Sequence, residues 1–92
     1  MTIQIDRYVL DTLMRDLIGH DRRPASYLVY LAILAAERPV ALSHQQLADR
    51  TGLSKRTVQD AIAHLARRGL VAVERRERTE AAVLTPLMPW RR

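Results

Sequence analysis

Apolar side chains recur in pairs, three or four residues apart, through the first twenty residues of the chain. Over 6–18 this spacing predicts an amphipathic helix, with Asp6 suited to capping its start and Gly19 to ending it in the left-handed conformation. The apolar positions are Val9, Leu10, Leu13, Met14, Leu17 and Ile18. A stripe two residues wide fits packing on the same domain alone, or packing on a second copy as well, and the sequence leaves both open.

The next helical segment is apolar on nearly every side. It is predicted over 24–36, begins with a proline in its first turn, and stops before Pro39. A helix without a polar face must be covered from several directions, so we expect it to run through the centre of the domain. Tyr27 and Tyr30 on this helix are therefore predicted to be core residues.

Two shorter helices with a tight turn between them follow. Ser43 and Gln46 form a capping box, which predicts a helix over 44–50. The turn 51–53 contains a glycine suited to positive φ, and Ser54 then caps a helix predicted over 55–68, which Gly69 ends. The inward positions of that last helix are Val58, Ala61, Ile62 and Leu65.

The remaining pattern is that of a hairpin and a tail. Valine-rich segments at 70–75 and 81–85 predict two β-strands, joined by the polar segment 76–80. Prolines bracket the tail predicted over 86–92, in which Trp90 is interpreted either as loosely packed or as an anchor for another molecule. The fold class is thus mainly α with a small β-hairpin, in a single domain over 1–92.

Charge is distributed unevenly along the 92 residues. Residues 1–43 carry five basic and five acidic side chains, whereas residues 44–92 carry ten and five, so the second half holds the whole net charge of +5. Fourteen of the fifteen basic residues are arginine, which binds phosphate and guanine in bidentate fashion. A basic second half indicates a polyanionic partner.

Several other classes of function find no support in the sequence. The chain has no cysteine, and its three histidines are far apart in sequence, so we expect neither a disulfide nor a metal site. No acid–base pair, nucleophile arrangement or glycine-rich phosphate loop suggests an enzyme or a cofactor. The start lacks the pattern of a secretory signal, and the longest apolar run, over 27–36, is too short for a bilayer. We expect a cytoplasmic protein.

One segment of the chain resembles bacterial winged helix-turn-helix domains. It covers 46–59, Gln46-Leu-Ala-Asp-Arg-Thr-Gly-Leu-Ser-Lys-Arg-Thr-Val-Gln59, and it is followed by Ile62, Leu65 and Gly69-Leu-Val. It is similar to those of MarR- and GntR-type transcriptional regulators and of plasmid replication proteins, over about 24–85. The resemblance implies about four helices plus a two-stranded wing, with helix 55–68 in the major groove of double-stranded DNA and wing 74–80 on the backbone. No effector domain accompanies the match, so no small-molecule effector is expected.

The site residues follow from this resemblance. Base contacts are predicted for Lys55, Arg56, Thr57, Gln59 and Asp60, whose side chains match the edges of the bases. Phosphate contacts are predicted for Ser54, His64, Arg67, Arg68, Arg75, Arg76 and Arg78.

Two of these assignments have a plainer alternative. Asp60 is four residues from Arg56, so the alternative for this pair is a surface ion pair without base contact by Asp60. The mixed charges of 74–80 can also be a solvated hairpin tip.

Three functions remain open at this point. The first is a transcriptional regulator that binds DNA as a homodimer through the helix within 1–20. The second is a protein-interaction adaptor built on a winged helix. The third is an accessory protein in plasmid or phage replication.

Overall fold

The computed structural model describes residues 1–36, 40–75 and 81–91. Within them the chain forms an N-terminal helix over 7–20, then three α-helices and three short strands. The α-helices are α1 (Pro24–Leu34), α2 (His44–Thr51) and α3 (Lys55–Arg67), and the strands are β1 (Val40–Ala41), β2 (Val71–Glu74) and β3 (Val83–Pro86). The predicted winged helix-turn-helix fold class, with four helices and an antiparallel hairpin, is confirmed.

The N-terminal helix is wider than an α-helix. Two segments, Val9–Leu13 and Asp16–His20, have π-helical hydrogen bonds, which run five residues back along the chain. The predicted apolar positions of this helix fall into two sets. Val9, Leu13 and Leu17 are buried, whereas Leu10, Met14 and Ile18 are exposed at 52%, 38% and 39%.

This helix ends differently from the prediction. Gly19 lies inside the second π-helical segment and has no positive φ, so its predicted role as a left-handed terminator is wrong. The left-handed residue is Arg22, with φ 56°, and the amide of Arg23 donates to the carbonyl of Leu17 at 2.8 Å. The wider helix carries the chain past Gly19 before it turns, so a non-glycine residue takes the strained conformation.

Helix α1 forms the centre of the domain, as its apolar pattern predicts. It contacts the N-terminal helix, α2, α3 and β3. Tyr27 and Tyr30 are buried, and both keep their hydroxyl groups bonded: Tyr27 donates to the carbonyl of Val9 and Tyr30 to that of Leu87, each at 2.9 Å. Burial of its phenol raises the pKa of Tyr30 to about 12.

The sheet has a strand that the sequence pattern did not predict. β3 lies between β2 and β1 and is antiparallel to both, with Val73 opposite Leu84 on one side and Ala41 opposite Val83 on the other. β1 contains only two residues, too few to show alternation. The hairpin tip, 76–80, lies outside the described residues.

The C-terminal tail is packed against the N-terminal helix. Trp90 stacks on Tyr8 with ring centroids 4.5 Å apart, and its Nε1 donates to Asp6 at 2.8 Å. Arg91 binds the same carboxylate through two nitrogens, each 2.6 Å from an oxygen. The interpretation of Trp90 as loosely packed is therefore wrong. Asp6 does precede the helix, but its carboxylate binds the tail and not the first helical amides.

Candidate nucleic-acid interface

The turn between α2 and α3 is built from short-range hydrogen bonds. Gly52 has φ +80°, and its amide donates to the carbonyl of Ala48 at 2.9 Å. The hydroxyl of Thr51 donates to the carbonyl of Leu47 at 2.7 Å and accepts from the amide of Leu53 at 3.3 Å. Leu53 is half-buried against the core. These hydrogen bonds and the packing of Leu53 fix the conformation of the turn, and the turn sets the angle at which α3 crosses α2.

The start of α3 is capped by a side chain. The hydroxyl of Ser54 accepts from the amide of Thr57 at 3.1 Å and donates to its Oγ1 at 2.8 Å. The predicted cap is thus present, and the proton of Ser54 is used within the protein. Thr57 keeps its own hydroxyl proton, so of these two residues Thr57 is the one able to donate to a ligand.

The outer face of α3 carries the predicted base-contacting residues and one predicted phosphate contact. Lys55, Arg56, Gln59, Asp60 and Arg67 are exposed, and Thr57 is half-buried. Arg56 lies opposite the buried face of the helix, whereas Lys55 and Thr57 lie at the two edges of the outer face.

Arg56 and Asp60 do form an ion pair. Arg56 Nε lies 3.5 Å from Asp60 Oδ1, and the two side chains are 83% and 58% exposed. So exposed a pair contributes little to stability, and both groups are accessible to a ligand.

Arg75, at the end of β2, is exposed beside the start of α3, whereas Arg76 and Arg78 lie outside the described residues. A groove of about 250 Å³ runs between the hairpin and the starts of α2 and α3, and we call it the wing groove. Its lining includes His44, Lys55, Val73, Arg75 and Ala82. Partial burial and the charges of Arg75 and Lys55 lower the pKa of His44.

The sequence pattern by itself does not point to His44. It is the first helical residue after Ser43, and the N-terminus of α2 lies close to that of α3. The capping box was the signal that placed it there.

His64 is not on the outer face, so the predicted phosphate contact is wrong. It is only 8% exposed, with Nδ1 2.8 Å from the hydroxyl of Ser26 and Nε2 2.8 Å from a carboxylate oxygen of Asp21. A carboxylate only accepts hydrogen bonds, so Nε2 carries the proton, and in the neutral ring Nδ1 accepts from Ser26. α3 turns this side chain toward the N-terminal helix and α1.

Arg68, just after α3, is also bound within the protein. Its guanidinium donates to both oxygens of Asp21, at 2.9 and 2.8 Å, and to Asp16. The guanidinium for which a phosphate contact is predicted is thus engaged by two carboxylates of the protein itself. A hydrogen bond from His20, then one from His64 and the charge of Arg68, lower the pKa of Asp21 against the effect of its burial.

This cluster contains two arrangements that suggest other chemistry. Ser26, His64 and Asp21 have the composition of a catalytic triad, but Ser26 is only 1% exposed, so a substrate cannot approach its hydroxyl. Asp16, His20 and Asp21 bring one ligand atom each within 4.8 Å. The cation held by those carboxylates is the guanidinium of Arg68.

The arrangement defines a class of protein: a winged helix-turn-helix module, with a capped helix exposed between a two-stranded hairpin and a helical core. Residues 22–85 match the family model of the Crp-like helix-turn-helix domain. The chain belongs to this family, whose helix-turn-helix is a DNA-binding and not an enzymatic module.

The match confirms the helix-turn-helix class and does not single out MarR- or GntR-type regulators. No curated protein and no solved structure shows a significant match to the chain. Among the described helices, none combines the length and apolar character needed to cross a membrane.

Proposed function

We propose that this protein binds double-stranded DNA sequence-specifically and regulates transcription, with α3 in the major groove. The observation that carries the proposal is the exposed face of α3. Lys55 and Arg56 match the O6 and N7 acceptors of guanine, and Gln59 matches N6 and N7 of adenine. These residues lie in the first turns of a helix whose other face is buried.

Phosphate contacts would flank that face. Arg67 is exposed at the far end of α3, and Arg75 is exposed at the base of the wing. Neither has an ion-pair or hydrogen-bond partner within the described part of the chain. The wing, 74–80, would follow the backbone, although Arg76 and Arg78 enter this proposal from the sequence alone.

The first experiment is fluorescence anisotropy of the full chain with a labelled mixed-sequence duplex, across a range of salt concentrations. We expect binding whose logarithm falls linearly with the logarithm of salt, because each phosphate contact releases counterions. Selection of bound sequences from a random pool should then yield one preferred site. No binding at low salt, or binding without salt dependence, would exclude the proposal.

We further propose a homodimer through the N-terminal helix. The exposed line of Leu10, Met14 and Ile18 is continuous along one edge of that helix. A second copy is the occupant that fits the function, because a two-fold axis would place two α3 helices about 34 Å apart, one DNA turn, on a pseudo-palindromic site. An isologous contact also needs only one surface of the chain.

The dimer is tested by sedimentation equilibrium of wild type and two variants. Met14→Glu places a charge in the exposed line and should give a monomer that binds DNA more weakly. Leu28→Glu is the matched control, since Leu28 is 46% exposed but lies on α1. A wild type that is monomeric both free and on DNA would contradict the dimer and leave DNA binding unaffected.

Two other functions use the same features. A wild type that fails to bind DNA but binds another protein through the exposed line would be the adaptor. A replication accessory protein would share the DNA surface, and the genomic neighbourhood would distinguish it from a regulator. In each case we propose a cytoplasmic protein that acts without catalysis, cofactor or small-molecule effector.

A further inference from the structure

A second basic groove lies beside α3, on the side away from the wing. It has a volume of about 210 Å³, and we call it the linker groove, because Arg22 and Arg23 connect the N-terminal helix to α1. Its lining includes Arg22, Arg23, Pro24, Thr57 and Asp60.

The two grooves border opposite edges of the exposed face of α3. Lys55 lines the wing groove and Thr57 the linker groove. At about 100° per residue, two residues apart on a helix project about 200° apart. Arg56, between them in sequence, projects outward from the face that both grooves border.

The arginines of the linker groove are free to bind an anion. Arg22 and Arg23 are exposed, and within the described residues neither guanidinium has a hydrogen bond or an ion pair. The nearby acidic groups are already matched: Asp60 pairs with Arg56, and Asp21 is bound by His64 and Arg68. The net charge of this edge is therefore positive, although the first half of the chain sums to zero.

We infer that Arg22 and Arg23 bind DNA phosphates on the strand opposite the one that the wing follows, with the hydroxyl of Thr57 as an additional donor. The inference rests on the proposed function, and it adds a contact outside the helix-turn-helix. A helix in the major groove, about 12 Å wide, has a sugar–phosphate backbone on each side. Lys55 and Arg75 face one of them, and the linker arginines face the other.

The test compares the salt dependence of binding among charge variants of the full chain, on a labelled mixed-sequence duplex of about 25 base pairs. Arg22→Gln and Arg23→Gln remove one charge each, and the double variant removes both. Arg15→Gln is the matched control, since Arg15 is exposed on the N-terminal helix and lines neither groove. Circular dichroism establishes that each variant is folded.

We expect the magnitude of the slope of log affinity against log salt, counted per bound chain, to decrease by about 0.9 for each single variant and about 1.8 for the double variant. The loss should be the same on preferred and random sequences, because phosphates carry no sequence information. Arg22→Lys with Arg23→Lys should restore the slope, since lysine keeps the charge. Arg15→Gln should leave it unchanged.

Two failures are distinguishable. If wild type binds DNA and the double variant has the same slope as Arg15→Gln, the linker contact is wrong and the proposed function stands. If wild type binds no DNA at all, the proposed function fails and the linker contact fails with it.

Discussion

The Nε2 atom of His64 on α3 lies 2.8 Å from a carboxylate oxygen of Asp21, which is 43 residues earlier in the chain. The same carboxylate accepts two hydrogen bonds from Arg68, at 2.9 and 2.8 Å. Asp21 therefore joins the end of the N-terminal helix to two places along and just beyond α3. The orientation of the proposed recognition helix depends on a group in the linker that precedes α1.

Asp21→Asn should destabilise the fold. The amide keeps one acceptor oxygen but loses the charge that binds Arg68 and His64, so we expect a loss of about 2 kcal/mol in the free energy of unfolding. Urea denaturation measures it. Asp49→Asn is the control, because Asp49 is exposed and bonded only by Gln45, and its change should stay within about 0.5 kcal/mol. Equal changes in both variants would show that the Asp21 cluster is not structural.

Arg22→Gly should stabilise the fold. Arg22 has φ 56°, a conformation that costs a side chain energy and glycine little, and we expect a gain of about 0.5–1 kcal/mol. Arg23→Gly makes the same chemical change at φ −127°, a conformation that arginine adopts without strain. Glycine there only makes the unfolded chain more flexible, so the free energy of unfolding should fall by about 0.5–1 kcal/mol. Thermal and urea unfolding compare the two. A loss of stability in Arg22→Gly would contradict the left-handed turn.

Asp6→Asn should reduce the acid sensitivity of the fold. Hydrogen bonds from Arg91 and Trp90 lower the pKa of Asp6 from 3.8 to about 2. A lowered folded-state pKa means that the stabilisation is complete above about pH 4 and is lost as pH falls toward about 2. Melting temperatures of wild type should therefore fall more steeply across that window than those of Asp6→Asn.

Arg91→Ala removes the partner of Asp6 and should flatten the same pH dependence. The double variant Asp6→Asn with Arg91→Ala should have nearly the same pH dependence of melting temperature as Asp6→Asn alone, because the two residues form one contact. An acid transition as steep in Asp6→Asn as in wild type would show that the tail contact does not form.

DNA affinity should increase as pH falls through the titration of His44. Partial burial and the charges of Arg75 and Lys55 lower its pKa in the free protein, whereas a phosphate in the wing groove would favour the charged ring. Binding then takes up a proton, so affinity rises below about pH 6.5. Anisotropy of wild type and His44→Gln measures this, and the variant should show a smaller dependence. An identical pH dependence in both proteins would show that His44 is not the group that takes up the proton.

Arg56 and Arg67 should differ in what they contribute to DNA binding. Arg56→Ala should relax sequence preference, with a loss of about 1–3 kcal/mol on the preferred site and little on random DNA. Arg67→Ala should weaken binding to all sequences alike and lower the magnitude of the salt slope by about 1 per bound chain. Competition binding with preferred and random duplexes separates the two. Equal effects of both substitutions on both duplexes would remove the base contact assigned to Arg56.

Much of the fold could be predicted because its signals are local. The capping box of Ser43, the positive φ of Gly52, the cap at Ser54 and the end at Gly69 all depend on neighbours within four residues. The exposed face of α3 followed from helical periodicity in the same way. The resemblance to helix-turn-helix proteins then located the candidate site on that face.

His64 shows the limit of this reasoning. Helical periodicity places it near the edge of the outer face. That edge is buried because Ser26 and Asp21, from distant parts of the chain, pack against His64 there. β1 had too few residues to show a pattern, and the tail found its partners on the N-terminal helix, 84 and 85 residues away.

The sequence by itself determined the starts of α2 and α3, the turn between them and the basic surface of α3, because each depends on short-range hydrogen bonds or on spacing along one helix. Only the tertiary structure decided which polar groups are used within the protein. Arg68 and His64 bind carboxylates, while Arg22 and Arg23 have no partner in the described part of the chain. A charged side chain pairs with the oppositely charged groups that tertiary packing places near it, and these groups are often far away in the sequence.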